Sequence, residues 1–140
     1  MKDNLKKAIE MLNSGQYTCV LCKDDKVYTS TERGVRPLLD WLNSEQDLKG
    51  FCAADKVVGK GAAFLYVLLG VKAVYARVMS EAAINTLTVN NIQPQWEQSV
   101  KNIINRTGTG FCPMEEAVRD IEVPKEAKRA IENKLKQMKS

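Results

Sequence analysis

The stretch that most constrains this chain is "GAAFLYVLLG", residues 61 to 70. Apolar residues surround the helical wheel almost completely, so a helix here must be covered on most sides and sit centrally. Gly70 closes it. The valine-rich "VKAVYARVM" follows as a strand, and "GFCAA", ahead of it, reads as a short buried strand. A covered helix between two buried strands implies layered α/β packing. The apolar run is about half the length a membrane span needs, so it reads as a core helix.

The flanks extend this plan. Leu5, Ala8, Ile9 and Leu12 share one helical face over residues 4 to 13, and "YTCVLCK" and "KVYTS" form a hairpin turned at Asp24-Asp25. "RPLLDWL" reads as a short helix with Pro37 in its first turn. The covered helix is taken to begin at Asp55, within "DKVVGKGAAFLYVLLG", and "SEAAINTL" is a helix opened by Ser80. "IQP" allows a short edge strand. Trp96, Val100, Ile103 and Ile104 recur at helical spacing and predict a helix over 96–105. "CPMEEAVRD" starts a short helix, and a basic helix occupies about 124–138. The expected architecture is a single domain over 1–140, a three-layer α/β/α sandwich with a mixed sheet.

The composition, 44% apolar and 27% charged, suits one globular domain. "MKDNLKKAIE" lacks the apolar core of a secretion signal, so a cytoplasmic location is expected, with Cys19, Cys22, Cys52 and Cys112 as reduced thiols. The net charge is +4. Lys125, Lys128, Arg129, Lys134, Lys136 and Lys139 crowd the last helix, which makes nucleic acid an alternative partner to a small polar or anionic ligand, although a solvated face explains the same charges. No membrane partner is expected, and the sequence does not set an oligomeric state.

The chain has no histidine, which removes the usual partner of a reactive serine or cysteine. Cys19-x-x-Cys22 has zinc-knuckle spacing, but in a strand the two side chains point to opposite faces, so no metal site and no cofactor is expected. "AADKVVGKGAA" falls short of a phosphate loop. Ala54 stands where the first glycine belongs, and Gly61 where the magnesium-binding hydroxyl belongs.

Two strand-to-helix junctions remain, where ligands gather in open α/β sheets. At the first, Asp55 is a helix N-cap or a base, and Lys56 and Lys60 are anion-binding candidates or solvated first-turn residues. At the second, Ser80 is an N-cap or a nucleophile, beside Glu81. A third feature is "NRTGTGFCPMEEAV", residues 105 to 118. There Cys112 takes the N-cap, Pro113 the first helical position and Glu115 the reciprocal place of a capping box. Asn105 and Arg106 precede the thiol, and Arg106 would favour its thiolate. Ser30, Arg33, Gly34 and Arg36 form a further turn able to hold an anion or to stand exposed.

The strings "DKVVGKGAAFL", "VMSEAA" and "NRTGTGFCPMEEAV", in this order of elements, resemble an uncharacterised prokaryotic domain-of-unknown-function family with a cytidine-deaminase-like fold. The resemblance implies that fold and a pocket at the two junctions. Zinc deaminases carry His-x-Glu or Cys-x-Glu at the first junction and Pro-Cys-x-x-Cys at the second. This chain reads "AADKVV" and "MSEAA" there, so the resemblance does not carry zinc-hydroxide chemistry over. The expectation is a zinc-free site for a nucleoside, nucleotide or similar small polar ligand. Asp55, Ser80 and Cys112 are its catalytic candidates, and Lys56, Lys60, Glu81, Asn105, Arg106 and Glu115 its ligand contacts. The alternative is a non-catalytic regulatory or nucleic-acid-binding module on the same scaffold.

Overall fold

The computed structural model describes residues 3–32, 34–44, 46–104 and 112–139, with five strands and six helices among them. Asp3 caps the first helix, α1 (Asn4–Ser14), accepting the Lys6 N–H at 3.0 Å. Strands β1 (Cys19–Lys23) and β2 (Lys26–Ser30) form the expected hairpin, with Asp24 at φ 55° in the turn. Helix α2 (Arg36–Asn43) leads to β3 (Cys52–Val58), α3 (Lys60–Leu69), β4 (Ala73–Ser80), α4 (Glu81–Val89) and β5 (Gln93–Val100). Two more helices, α5 (Pro113–Val118) and α6 (Pro124–Lys139), complete the order.

The sheet order is β2-β1-β3-β4-β5. β1 is antiparallel to both β2 and β3, whereas β3, β4 and β5 run parallel, so the sheet is mixed. Strand alternation separates two cores. Val20, Cys22, Ala54 and Tyr75 meet Ala8 and Leu12 of α1 on one side. Cys19, Leu21, Ala53, Val74 and Ala76 join the larger core built around Phe64, Leu65 and Tyr66 of α3. Cys19 and Cys22 thus face opposite sides, as their spacing in a strand requires.

Three expectations need correction. Residues 96–100 are not helical: β5 runs through them, parallel to β4, with Ala76 paired to Trp96. β5 is the sheet edge, and most of its residues are exposed on both faces, so nothing imposes apolar alternation on it. The chance helical spacing of its few apolar residues then dominates the pattern. The Gln93 N–H donates inward to the Lys72 carbonyl (3.2 Å), which turns the nitrogen of Pro94 outward, where a missing donor is harmless.

The second correction concerns β3, which does not stop at Ala54. It continues through Asp55, Val57 and Val58, and α3 begins only at Lys60. Asp55 is therefore a mid-strand residue and no helix cap. The third concerns Lys60, which is buried and not solvated.

Candidate functional site

β3 and β4 end side by side, and α3 and α4 start from those ends. Gly59, at the N-cap of α3, has no side chain to offer the helix N–H groups. Glu115 of α5 supplies the missing acceptor. Its carboxylate accepts the Lys60 N–H at 3.0 and 2.8 Å through its two oxygens, and the Gly61 N–H at 3.4 Å. A methyl group on Gly59 would lie 2.1 Å from Glu115 Oε1, so the glycine is what admits the carboxylate. The predicted capping box does not form. The Cys112 N–H donates instead to the Ile103 carbonyl (2.9 Å), and Glu115 caps α3 rather than its own helix.

The side chain of Lys60 is equally engaged. Its Nζ donates to the Arg119 carbonyl at 2.9 Å and to Glu122 Oε1 at 3.0 Å, and lies 5.7 Å from the centre of the Phe64 ring. Helix dipole, lysine and anion are all present, as in a phosphate site. The anion, however, is the chain's own carboxylate. At the neighbouring junction Ser80 Oγ accepts the Ala83 N–H at 3.1 Å, and Ser80 is only 1% exposed. It is the N-cap of α4, and its hydroxyl is engaged in that role.

A cleft of about 130 Å³ opens between these pieces. Lys60, Ser80 and Ala82 line it from α3, β4 and α4, Lys101 and Asn102 from the segment just after β5, and Glu115, Glu116 and Arg119 from α5 and its end. The cleft lies at the carboxyl ends of parallel strands, the usual place for a ligand in an open α/β sheet. Its volume is below the roughly 300 Å³ at which pockets for drug-sized ligands begin, and suits one small polar group.

Asp55 belongs elsewhere. Its Oδ2 accepts the Tyr66 O–H at 2.7 Å, its Oδ1 accepts the Lys56 N–H at 2.8 Å, and Tyr66 Oη lies 3.2 Å from Cys19 Sγ. Cys19 and Asp55 are directly paired between β1 and β3. Burial pushes the Asp55 carboxyl up to about 6, against the opposing pull of the Tyr66 hydroxyl and the Lys56 and Val57 N–H groups. Burial, reinforced by the Asp55 charge, also raises the Tyr66 phenol and the Cys19 thiol.

The structure thus brings Lys60, Ser80 and Glu115 to one cleft. Asp55 sits in the core, Lys56 is exposed beside it, and Glu81 is exposed in the first turn of α4. Cys112 stands half-buried ahead of α5 and is not among the residues lining the cleft. Asn105, Arg106 and Arg33 lie outside the described residues. Sequence reasoning missed Lys101, Asn102, Glu116 and Arg119, which carry no local motif. It also missed Tyr66, although a phenol inside an otherwise apolar helix asks for a buried partner. Among the described residues no group of three or more cysteine or acidic side chains is placed to hold a metal ion. Nor is any described helix long and apolar enough to cross a membrane.

Residues 7–135 match the family model described as TM1506, domain of unknown function (DUF1893). The fold is similar to the crystal structure of a DUF1893 family protein from Thermotoga maritima, with a TM-score of 0.86 and 21% identity, over 96% of this chain and 92% of that one. No curated protein matches.

Proposed function

The chain belongs to the DUF1893 family, a domain of unknown function, and from that premise we propose that it is a ligand-binding domain whose cleft, at the ends of β3 and β4, takes a nucleoside, nucleotide or similar small polar molecule. One observation carries the reading: three separate segments, the α3 start, the turn after β5 and α5, converge on that cleft with charged and polar side chains. Two parallel strand-to-helix units behind an antiparallel hairpin also support reading the scaffold as deaminase-like, with "AADKVV" and "MSEAA" at the places where zinc deaminases carry their ligands.

Binding is favoured over catalysis by what lines the cleft. Ser80 is buried and capping, Asp55 is tied to Tyr66 in the core, and Cys112 stands off the lining. No nucleophile and base face each other there among the described residues, and such a pair is the minimum for covalent catalysis. A thermal-shift screen of nucleosides, nucleotides and small polar metabolites tests the proposal. A true ligand at about a hundred times its Kd stabilises the fold by about 2.7 kcal/mol. The shift should disappear in Lys101→Met. No shift with any compound, or a shift untouched by that substitution, contradicts the proposal. The basic helix α6 supports the nucleic-acid alternative only if binding to RNA or DNA is measurable and falls steeply with salt.

A further inference from the structure

Resting on that binding reading, we infer that the cleft selects ligands that carry an anionic or strongly accepting group beside a cationic or N–H donor group, and that it discriminates against simple anions. Most polar side chains of the cleft already have partners. Lys60 Nζ is held by the Arg119 carbonyl and Glu122. The Glu115 carboxylate is held by the first N–H groups of α3, and the Ser80 hydroxyl by Ala83. Arg119 also has a partner. Among the described residues, Lys101, Asn102 and Glu116 alone of the polar lining side chains take part in no hydrogen bond or ion pair.

That leaves one ammonium, one amide and one carboxylate facing a volume of about 130 Å³. Among the side chains left without a partner, an inorganic dianion would gain Lys101 but would also meet the Glu116 carboxylate of the same lining, and a like charge so placed opposes binding. A cation alone would meet the reverse. A ligand with both signs side by side satisfies the whole set: its acceptor takes Lys101 and the Asn102 amide N–H, and its donor takes Glu116. Two sources share this chemistry, a small α-amino acid and the N–H/C=O edge of a nucleobase. Both are compact enough for the cleft to hold the recognised group.

Isothermal titration of the full chain distinguishes these cases. One arm uses small neutral α-amino acids and a second uses free nucleobases. The reference arms are inorganic phosphate and acetate. The expected result is that at least one of the first two arms binds about tenfold or more tightly than either reference. Glu116→Gln should weaken that ligand about tenfold and strengthen acetate, whereas Lys101→Met should weaken both. Phosphate binding as tightly as the mixed ligands, or Glu116→Gln strengthening every ligand alike, overturns this inference while leaving the binding reading in place. Silence in every arm overturns this inference, whereas the binding reading falls only if the thermal-shift screen of nucleosides, nucleotides and polar metabolites is silent as well. Retention of the wild-type melting temperature shows that each variant is folded.

Discussion

The molecule contains two polar clusters on the same side of its sheet, and they are built on opposite terms. The Asp55–Tyr66–Cys19 chain is closed: its members hydrogen-bond one another, Asp55 is only 8% exposed, and among the described residues no lysine or arginine side chain is hydrogen-bonded or ion-paired to its carboxylate. The cleft at the strand ends is half-closed. Lys60, Glu115 and Ser80 are locked in place, while Lys101, Asn102 and Glu116 face open space. A buried polar group without room around it acts on stability. A polar group left without a partner at the mouth of a rigid scaffold acts on binding. A raised carboxyl like that of Asp55 is often met at functional centres, but here its hydrogen-bond partners are Tyr66 and a backbone N–H within the core.

The sharpest way to break this contrast is pH. The folded Asp55 carboxyl titrates near 6, above its ordinary value of 3.8. The folded state therefore holds the proton more tightly than the unfolded chain. This group's stabilising contribution is fully present below about pH 3.8 and is lost as the pH rises through 6, a swing of about 3 kcal/mol. Chemical denaturation of wild type and Asp55→Asn at pH 4 and pH 7 isolates it. The wild type should lose most of that, about 2.4 kcal/mol, relative to the variant over the interval. Parallel pH profiles would show that Asp55 does not titrate in the fold.

Next in size is Tyr66→Phe, expected to destabilise by about 2 kcal/mol, because Asp55 Oδ2 is left buried without its donor. The same change removes a hydrogen bond that lowers the Asp55 pKa, so the midpoint of the pH effect should move upward. Glu115→Ala should follow at about 1 kcal/mol, the ordinary consequence of losing a helix N-cap. Gly59→Ala should displace the same carboxylate. The double variant should then be no less stable than the worse single one, a non-additivity that a double-mutant cycle detects. Smallest of all, Lys101→Met should leave stability within about 0.5 kcal/mol of wild type, because its side chain takes part in no contact that folding needs.

The sequence made the scaffold readable wherever residues must obey a period. The covered helix at residues 61–69, the hairpin and the caps at Gly70 and Ser80 follow from local chemistry, and they stand as read. The start of α3 did not, because its acceptor, Glu115, is 55 residues away. Gly59 offers no cap of its own, and that gap was the only local trace of the arrangement. β5 was misread for a different reason: an edge strand exposed on both faces is free of the alternation that identifies a strand. The cleft was legible at Lys60 and Ser80 through the strand-end rule, whereas Lys101 and Glu116 reach it only through the tertiary fold.

The central claim is that the cleft, and not the Asp55 chain, receives a ligand. An amide-resolved NMR titration with the best compound of the thermal-shift screen tests it most directly. The account predicts saturable shifts at Lys101, Asn102, Ala82 and Glu116, with Asp55, Tyr66 and Cys19 unmoved. Saturable shifts centred on Asp55 and Tyr66, with the cleft silent, would contradict it.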